Sequence, residues 1–333
     1  MSKKIGLFLP YFGSLPNYFK LWVKSVSINP EIQFILITDQ KLDTKIPSNL
    51  HIIEKNFSDI QQLIREKFST LNISIDSPYK LCDFRPAYGY IFEDLIDRYN
   101  LNYWGFCDPD VIWGKIDKFL TEKGFYKDDY DKVGYLGHFQ FLSVKEKFLF
   151  RKIIDDEKFR DYRYVFTHKY AYHFDEEIGI GLIAKKSGLK ILDFESNPPY
   201  TDILINKLQF YTNPNTNYYN FPRYLKWNDN SGLYQFVLDD SRYIKLPVMY
   251  VHLQKRKMSV EAGLLKEKVF YIFPNKFVSQ RTKDTLNIKK CMKDKLYADY
   301  YFDKTKTFVK KFSIAQIKHT KHFEKLLYEY YKQ

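Results

Sequence analysis

Two acids flank a proline at Asp108-Pro109-Asp110, inside the stretch YWGFCDPDVIWG (103–114). An apolar run, Tyr103 to Cys107, leads in, and Val111-Ile112-Trp113 leads out. Taking carboxylates out of water is costly unless a cation compensates. Two of them at the end of a buried strand point to a divalent cation. Hard ions such as Mg²⁺ or Mn²⁺ take carboxylate oxygens together with substrate phosphates. The triplet alone is a weak signal in a chain with 26 aspartates. Asp129-Tyr130-Asp131 has the same spacing, but it lies between Lys127 and Lys132 and reads as a surface loop.

Other residues could join that chemistry. His252, in YVHLQKRKM (250–258), sits in an apolar strand, where a lone histidine is ordinarily just hydrogen-bonded. The cations that follow, Lys255 and Arg256 above all, change its meaning: a metal-ligating imidazole with positive charge just beyond suits a diphosphate leaving group. In YKLCDFRPAYGYIF (79–92), Lys80, Asp83 and Arg85 either share an exposed helix face or, given the apolar residues around them, face a site. HFDEEIGIG carries Asp175, Glu176 and Glu177. Acids at a helix start are favoured by the macrodipole whatever else they do. His138 and His173 read as local structure.

The elements that must position these groups alternate. Ile5–Leu9 is a short buried strand, and PYFGSLP (10–16) is a loop by its Pro and Gly content. Phe19, Trp22, Val23 and Val26 fall on one helical face; Gln33–Thr38 is a second strand, ending at Asp39. Ile60, Leu63, Ile64 and Phe68 form another helical stripe, and residues 78–99 are mostly helical. YWGFC is then a third strand. Strand, helix, strand, helix, strand is the signature of a parallel sheet wrapped by helices, and such sheets bind ligands beyond the carboxyl ends of their strands. Further on, residues 133–143 are extended, 148–159 helical, and 176–187 a helix closed by Gly188, with KILDF (190–194) as a strand. Residues 233–238 and 243–246 pattern as a hairpin, and 248–253 as a strand.

A strand that ends in Asp-x-Asp resembles the nucleotide-sugar glycosyltransferases of the GT-A fold. The start IGLFLPYFGSLPNYF and the segment NPEIQFILITD look like the first two strands and nucleotide loop of a group of bacterial cell-surface polysaccharide glycosyltransferases. YKLCDFRPAYGYIF resembles the helix before the metal motif in the glycogenin-like and Och1-like families, although its spacing departs from theirs. The resemblance covers roughly residues 1–260. It implies a Rossmann-like, mostly parallel sheet wrapped by helices. It implies an Mn²⁺ or Mg²⁺ ion on Asp108, Asp110 and His252, and a nucleoside-diphosphate sugar donor, a UDP-sugar foremost. It implies donor contacts from Pro10, Tyr11, Phe12, Gly13, Asp39, Lys80, Asp83, Arg85, Asp108, Lys255 and Arg256. Asp175 and Glu176 would face the acceptor, a cell-surface glycan or lipid-linked oligosaccharide, or serve as base. The histidine match leans toward a retaining reaction.

Domain organisation and charge extend this expectation. Residues 1–260 form the catalytic domain, with a nucleotide-sugar half (1–115) and an acceptor half (116–260). Residues 261–333 form a basic, largely helical extension. From residue 253 onward the chain holds 20 Lys/Arg and 8 Asp/Glu, a surplus of 12 out of the whole chain's 13. That asymmetry suggests an anionic partner for the tail. KHFEKLLYEYYKQ (321–333) mixes an apolar face with lysines, as interfacial helices do, so peripheral attachment to the inner face of the cell membrane is one expectation and packing on the body the other. The three cysteines are widely spaced, which argues against a disulfide framework and fits a reduced, cytoplasmic setting. Two other classes compete. A nucleotidyltransferase also uses paired aspartates, but PYFGSLP lacks the Gly- and Arg-rich phosphate loop of that class. Nucleic-acid binding would explain the basic, Tyr-rich tail but leaves the nearly neutral body unexplained.

Overall fold

The structure is a computed structural model and describes residues 3–157, 159–194, 199–212, 217–219 and 221–291. Strand β1 (Ile5–Pro10) is followed by helix α1 (Phe19–Val26), β2 (Ile32–Thr38), β3 (Leu50–Glu54) and helix α2 (Phe57–Lys67). Short helical turns between Pro78 and Tyr99 lead to β4 (Tyr103–Cys107) and β5 (Val111–Trp113). Strands β3-β2-β1-β4 lie parallel in that order. Alternation along each strand divides its side chains between two cores. Ile5, Leu7 and Leu9 meet Trp22 and Val26 of α1 on one face, while Phe8 meets Ile60 and Ile64 of α2, and Phe84, on the other. Burial on both faces is why these strands read as unbroken apolar runs.

The parallel order stops at β4. Strands β6 (Lys132–Leu136) and β7 (Phe139–Ser143) form a hairpin, and β7 runs antiparallel to β4 with Phe139 opposite Cys107. Strand β8 (Ile191–Leu192) closes this seven-stranded sheet. Strands β9 (Tyr200–Ile203), β10 (Phe210–Tyr211), β11 (Arg223–Asn228), β12 (Gly232–Asp239), β13 (Arg242–Val248) and β14 (Tyr250–His252) follow. The last are β15 (Ser259–Val260), β16 (Val269–Phe273) and β17 (Lys276–Ser279). A four-stranded sheet has the order β10-β9-β14-β5, and a six-stranded one β13-β12-β11-β16-β17-β15. The chain is therefore α/β, but its sheets are mixed and the third is largely antiparallel. A mostly parallel sheet holds only for its first third.

Three more expectations change. Among the described residues, the segment 148–159 is helical only in the single turn Leu149–Arg151. Its apolar residues do not share a face: Leu149 and Phe150 are buried, while Phe148 and Ile153 point to solvent. The segment 176–187 enters through a π-helical turn, Glu177–Gly181, before the α-helix Leu182–Lys186. A boundary at residue 260 falls inside the body, because β16 pairs with β11 and Phe270, Ile272 and Phe277 belong to the largest core. The hairpin stands, as β12 and β13. The tail segment 321–333 lies outside the described residues. No helix among the described residues is long and apolar enough to cross a membrane.

Candidate metal centre

Asp108 follows the carboxyl end of β4, and Asp110 precedes β5. Strand β14 pairs antiparallel with β5 and sets His252 opposite Val111, one residue from Asp110. That register joins positions about 140 residues apart in sequence. Asp108, Asp110 and His252 each offer a ligand atom, all within 4.8 Å of one another. The two aspartates are not equivalent. Asp108 keeps some exposure and is paired with the Arg85 guanidinium. Asp110 is fully buried. Its Oδ2 accepts the Lys255 backbone N–H and faces His252 Nε2 at 3.6 Å. Its Oδ1 has no hydrogen-bond partner among the described residues. An orphaned, buried carboxylate oxygen is expensive, and a cation held with Asp108 and His252 would satisfy it. The donor set, two carboxylates and an imidazole, suits Mn²⁺ or Mg²⁺, the first more readily because imidazole is a softer ligand.

Electrostatics follow from the packing. Burial alone would raise the Asp110 carboxyl, but the charge and hydrogen bond of His252, with Lys255, outweigh it and hold the group at about 2. Burial works against the charged His252 ring too, and Asp202 and Asp110 overcome it and raise its pKa. His138 stacks on that ring with centroids 4.1 Å apart. Burial, then the neighbouring His252, lowers His138 to about 3, so it stays neutral.

A second group of acids adjoins the first. Arg85 Nη1 lies 2.8 Å from Asp175 Oδ2 and 2.7 Å from the Gly137 carbonyl, while its Nη2 reaches Asp108. One guanidinium thus ties the Asp108 end of the metal group to Asp175. Burial lifts Asp175 to about 7 against the pull of Arg85. Glu176 is exposed, as is Glu177, and lies 3.5 Å from His173. Lys255 is exposed and places its ammonium over the ring of the exposed Tyr79.

The remaining predicted residues divide by environment. Tyr11 is close enough that Asp110 and Asp108 add to the effect of burial in raising its hydroxyl pKa, so the 10–13 loop borders the cluster. Gly13 takes φ of +108° there, and Pro10 ends β1 on the same sheet edge. Phe12 instead turns into the core against Phe57. Asp39, at the end of β2, is exposed and accepts from Gln40. Lys80 and Asp83 are turned into the body. They pair at 2.7 Å, both buried. Lys80 donates to the Val165 and Tyr170 carbonyls, and Asp83 accepts the Tyr172 and Phe174 backbone N–H groups. They form a clamp that holds the segment leading to Asp175. Arg256 is likewise turned inward, onto the carbonyls of Leu204, Ile205, Lys207 and Pro274. The expected place of Lys80 and Asp83 is at the donor or on an exposed helix face, and that of Arg256 at the phosphates; all three are buried instead, bonded to backbone groups and, for Lys80 and Asp83, to each other.

Sequence reasoning missed several participants. Gly137 and His138 arrive because β7 is antiparallel to β4: their carbonyls meet Arg85 and the Asp108 backbone N–H. Trp22 Nε1 donates to the Asp108 carbonyl at 3.2 Å. Gln254 and Lys255 both have positive φ, 51° and 55°. Two successive non-glycine residues in that region mark local strain of the kind found at functional sites, and here the bend aims the Lys255 N–H at Asp110. Asp202 was missed as well, although it stands within the apolar segment YTDILI, as Asp110 stands against VIW.

Fold and centre together define an α/β protein with an Asp–Asp–His cluster suited to a divalent cation beyond the end of a parallel strand. By sequence, the chain belongs to the family of unknown function DUF6625, which it matches over residues 7–281. No curated protein matches it.

Proposed function

We propose that this chain is a metal-dependent glycosyltransferase of GT-A type. It moves a sugar from a nucleoside-diphosphate sugar, a UDP-sugar foremost, to a cell-surface glycan or lipid-linked acceptor. The observation that carries this reading is the convergence of Asp108, Asp110 and His252 with an unsatisfied buried oxygen on Asp110. The parallel block β3-β2-β1-β4, with the cluster beyond its carboxyl edge, supports it. A divalent ion bound by these three residues supplies positive charge for a departing diphosphate. The chain's own groups do the rest. The Lys255 ammonium, exposed beside the cluster, adds a second charge for phosphate oxygens. Arg85 fixes Asp108 and Asp175 relative to each other. Glu176, with His173 beside it, is the carboxylate accessible to an acceptor hydroxyl.

The test is a panel of nucleotide sugars assayed for hydrolysis and transfer, with and without Mn²⁺, on wild type and Asp110→Asn. Metal-dependent turnover that falls at least ~100-fold in the variant is expected, at or beyond the upper end of what losing an outer partner of a metal site costs. Asp129→Asn, at the exposed acid of the other Asp-x-Asp triplet, should leave turnover unchanged. Full activity in excess chelator, or in Asp110→Asn, overturns the proposal.

A further inference from the structure

Asp202 sits in β9, which runs parallel to β14 with Tyr200 opposite Tyr250 and Thr201 opposite Val251. The next step of that register brings Asp202 to His252, and its Oδ2 lies 3.3 Å from Nδ1. The carboxylate is almost fully buried. It also accepts from the Ile203 N–H at 2.6 Å, Tyr211 Oη at 3.1 Å and Gln254 Nε2 at 3.1 Å. Three donors besides the imidazole pin it.

We propose that Asp202 is the positioning residue of the metal centre: it takes the Nδ1–H of His252 and so turns the Nε2 lone pair toward Asp108 and Asp110. The inference rests on the metal-centre reading above and adds the group that orients its nitrogen ligand. Histidines that ligate metals commonly donate their other N–H to a carboxylate, which fixes tautomer and ring orientation together. The two faces of His252 differ in the required sense. Nδ1 to Asp202 is within hydrogen-bond distance at 3.3 Å, whereas Nε2 to Asp110 Oδ2 is longer, at 3.6 Å. The longer gap is within the span of two ligands each about 2.0–2.2 Å from one ion. His138 closes one face of the ring, stacked within 20° of parallel, and is itself tied to Tyr250 Oη at 3.0 Å. The ring is thereby held at one nitrogen and one face, and the other nitrogen is left for the centre. The competing role for Asp202 is purely structural: joining Gln254 and Tyr211 without acting through the imidazole.

A double-mutant cycle separates the two roles. The full chain is titrated with Mn²⁺, and the electron paramagnetic resonance signal of the free ion reports binding. Asp202→Asn and Asp202→Ala are measured alone and combined with His252→Ala, and thermal melts choose whichever Asp202 variant folds as wild type does. Wild type should bind one Mn²⁺, and the Asp202 variant should bind about 10–100-fold more weakly. With His252 already replaced, the Asp202 substitution should change affinity less than about twofold, because a residue that acts through another contributes nothing once that other is gone. Losses that multiply, or an unchanged affinity in the single variant, overturn the positioning role and leave the metal centre standing. A wild-type chain that binds no Mn²⁺ removes both.

Discussion

At the residue scale, charge is arranged so that acids one residue apart behave differently. Asp108 has a guanidinium and some exposure to solvent; Asp110 has an imidazole, a backbone N–H and one oxygen with no partner among the described residues. Asp175 is the opposite case, a carboxyl that burial holds near neutral pH. Its folded pKa, about 7, stands above the ordinary 3.8, so between those values the folded chain binds a proton that the unfolded chain has lost. The sign is then fixed: this group makes the fold less stable as pH rises through that window. Asp175→Asn, which cannot charge, should flatten the fall. Urea melts at several pH values across the window read this directly, and a variant with the wild-type slope would show that Asp175 is already ionised there.

At the element scale, the antiparallel pairing of β7 with β4 matters most. It carries the Gly137-His138 turn back over the strand end that bears Asp108. The pairing depends on close backbone approach at Gly105, where an added Cβ would meet the Gln140 carbonyl oxygen at 2.2 Å and Phe141 Cβ at 2.4 Å. The oxygen is backbone and cannot rotate away. Gly105→Ala should therefore cost about 1–3 kcal/mol by overpacking, measured by urea denaturation, and should weaken Mn²⁺ binding as the turn shifts. Gly124→Ala is the control. It has φ of +75° and nothing within 4 Å of an added Cβ, so it should cost roughly 1–2 kcal/mol through backbone strain alone and leave metal binding unchanged. Equal stability in wild type and Gly105→Ala would mean that the two strands are not this close.

At the scale of the whole molecule, the three sheets share the cores that hold the centre. Residues 269–279 complete the six-stranded sheet, and Arg256 ties the loop after His252 to carbonyls on either side of it. A chain ending at residue 260 would strip Phe270, Ile272 and Phe277 from the largest core. It should fail to fold cooperatively, and circular dichroism melts of that truncation against the full chain decide this. A cooperative transition in the shorter chain would restore a boundary near residue 260.

The sequence by itself determined strands β1, β2 and β4, the helices α1 and α2, and Asp108 and Asp110 as a candidate pair for a cation, while β3 went unread and His252 joined that pair only through a family resemblance. The strands, helices and paired aspartates rest on local signals: unbroken apolar runs, helical spacing, and charges placed where burial would be costly. The apolar residues around them marked Lys80 and Asp83 as having little solvent face, but not what they face, and nothing in the sequence placed Arg256 inward. Only the tertiary structure decided that their partners are backbone groups from segments far along the chain. It alone decided that β7 returns antiparallel, that β16 and β17 join β11, and that Asp202 stands behind His252. Strand pairing and register join residues with no relation in sequence spacing. An apolar pattern records that a strand is buried, and not which neighbour buries it.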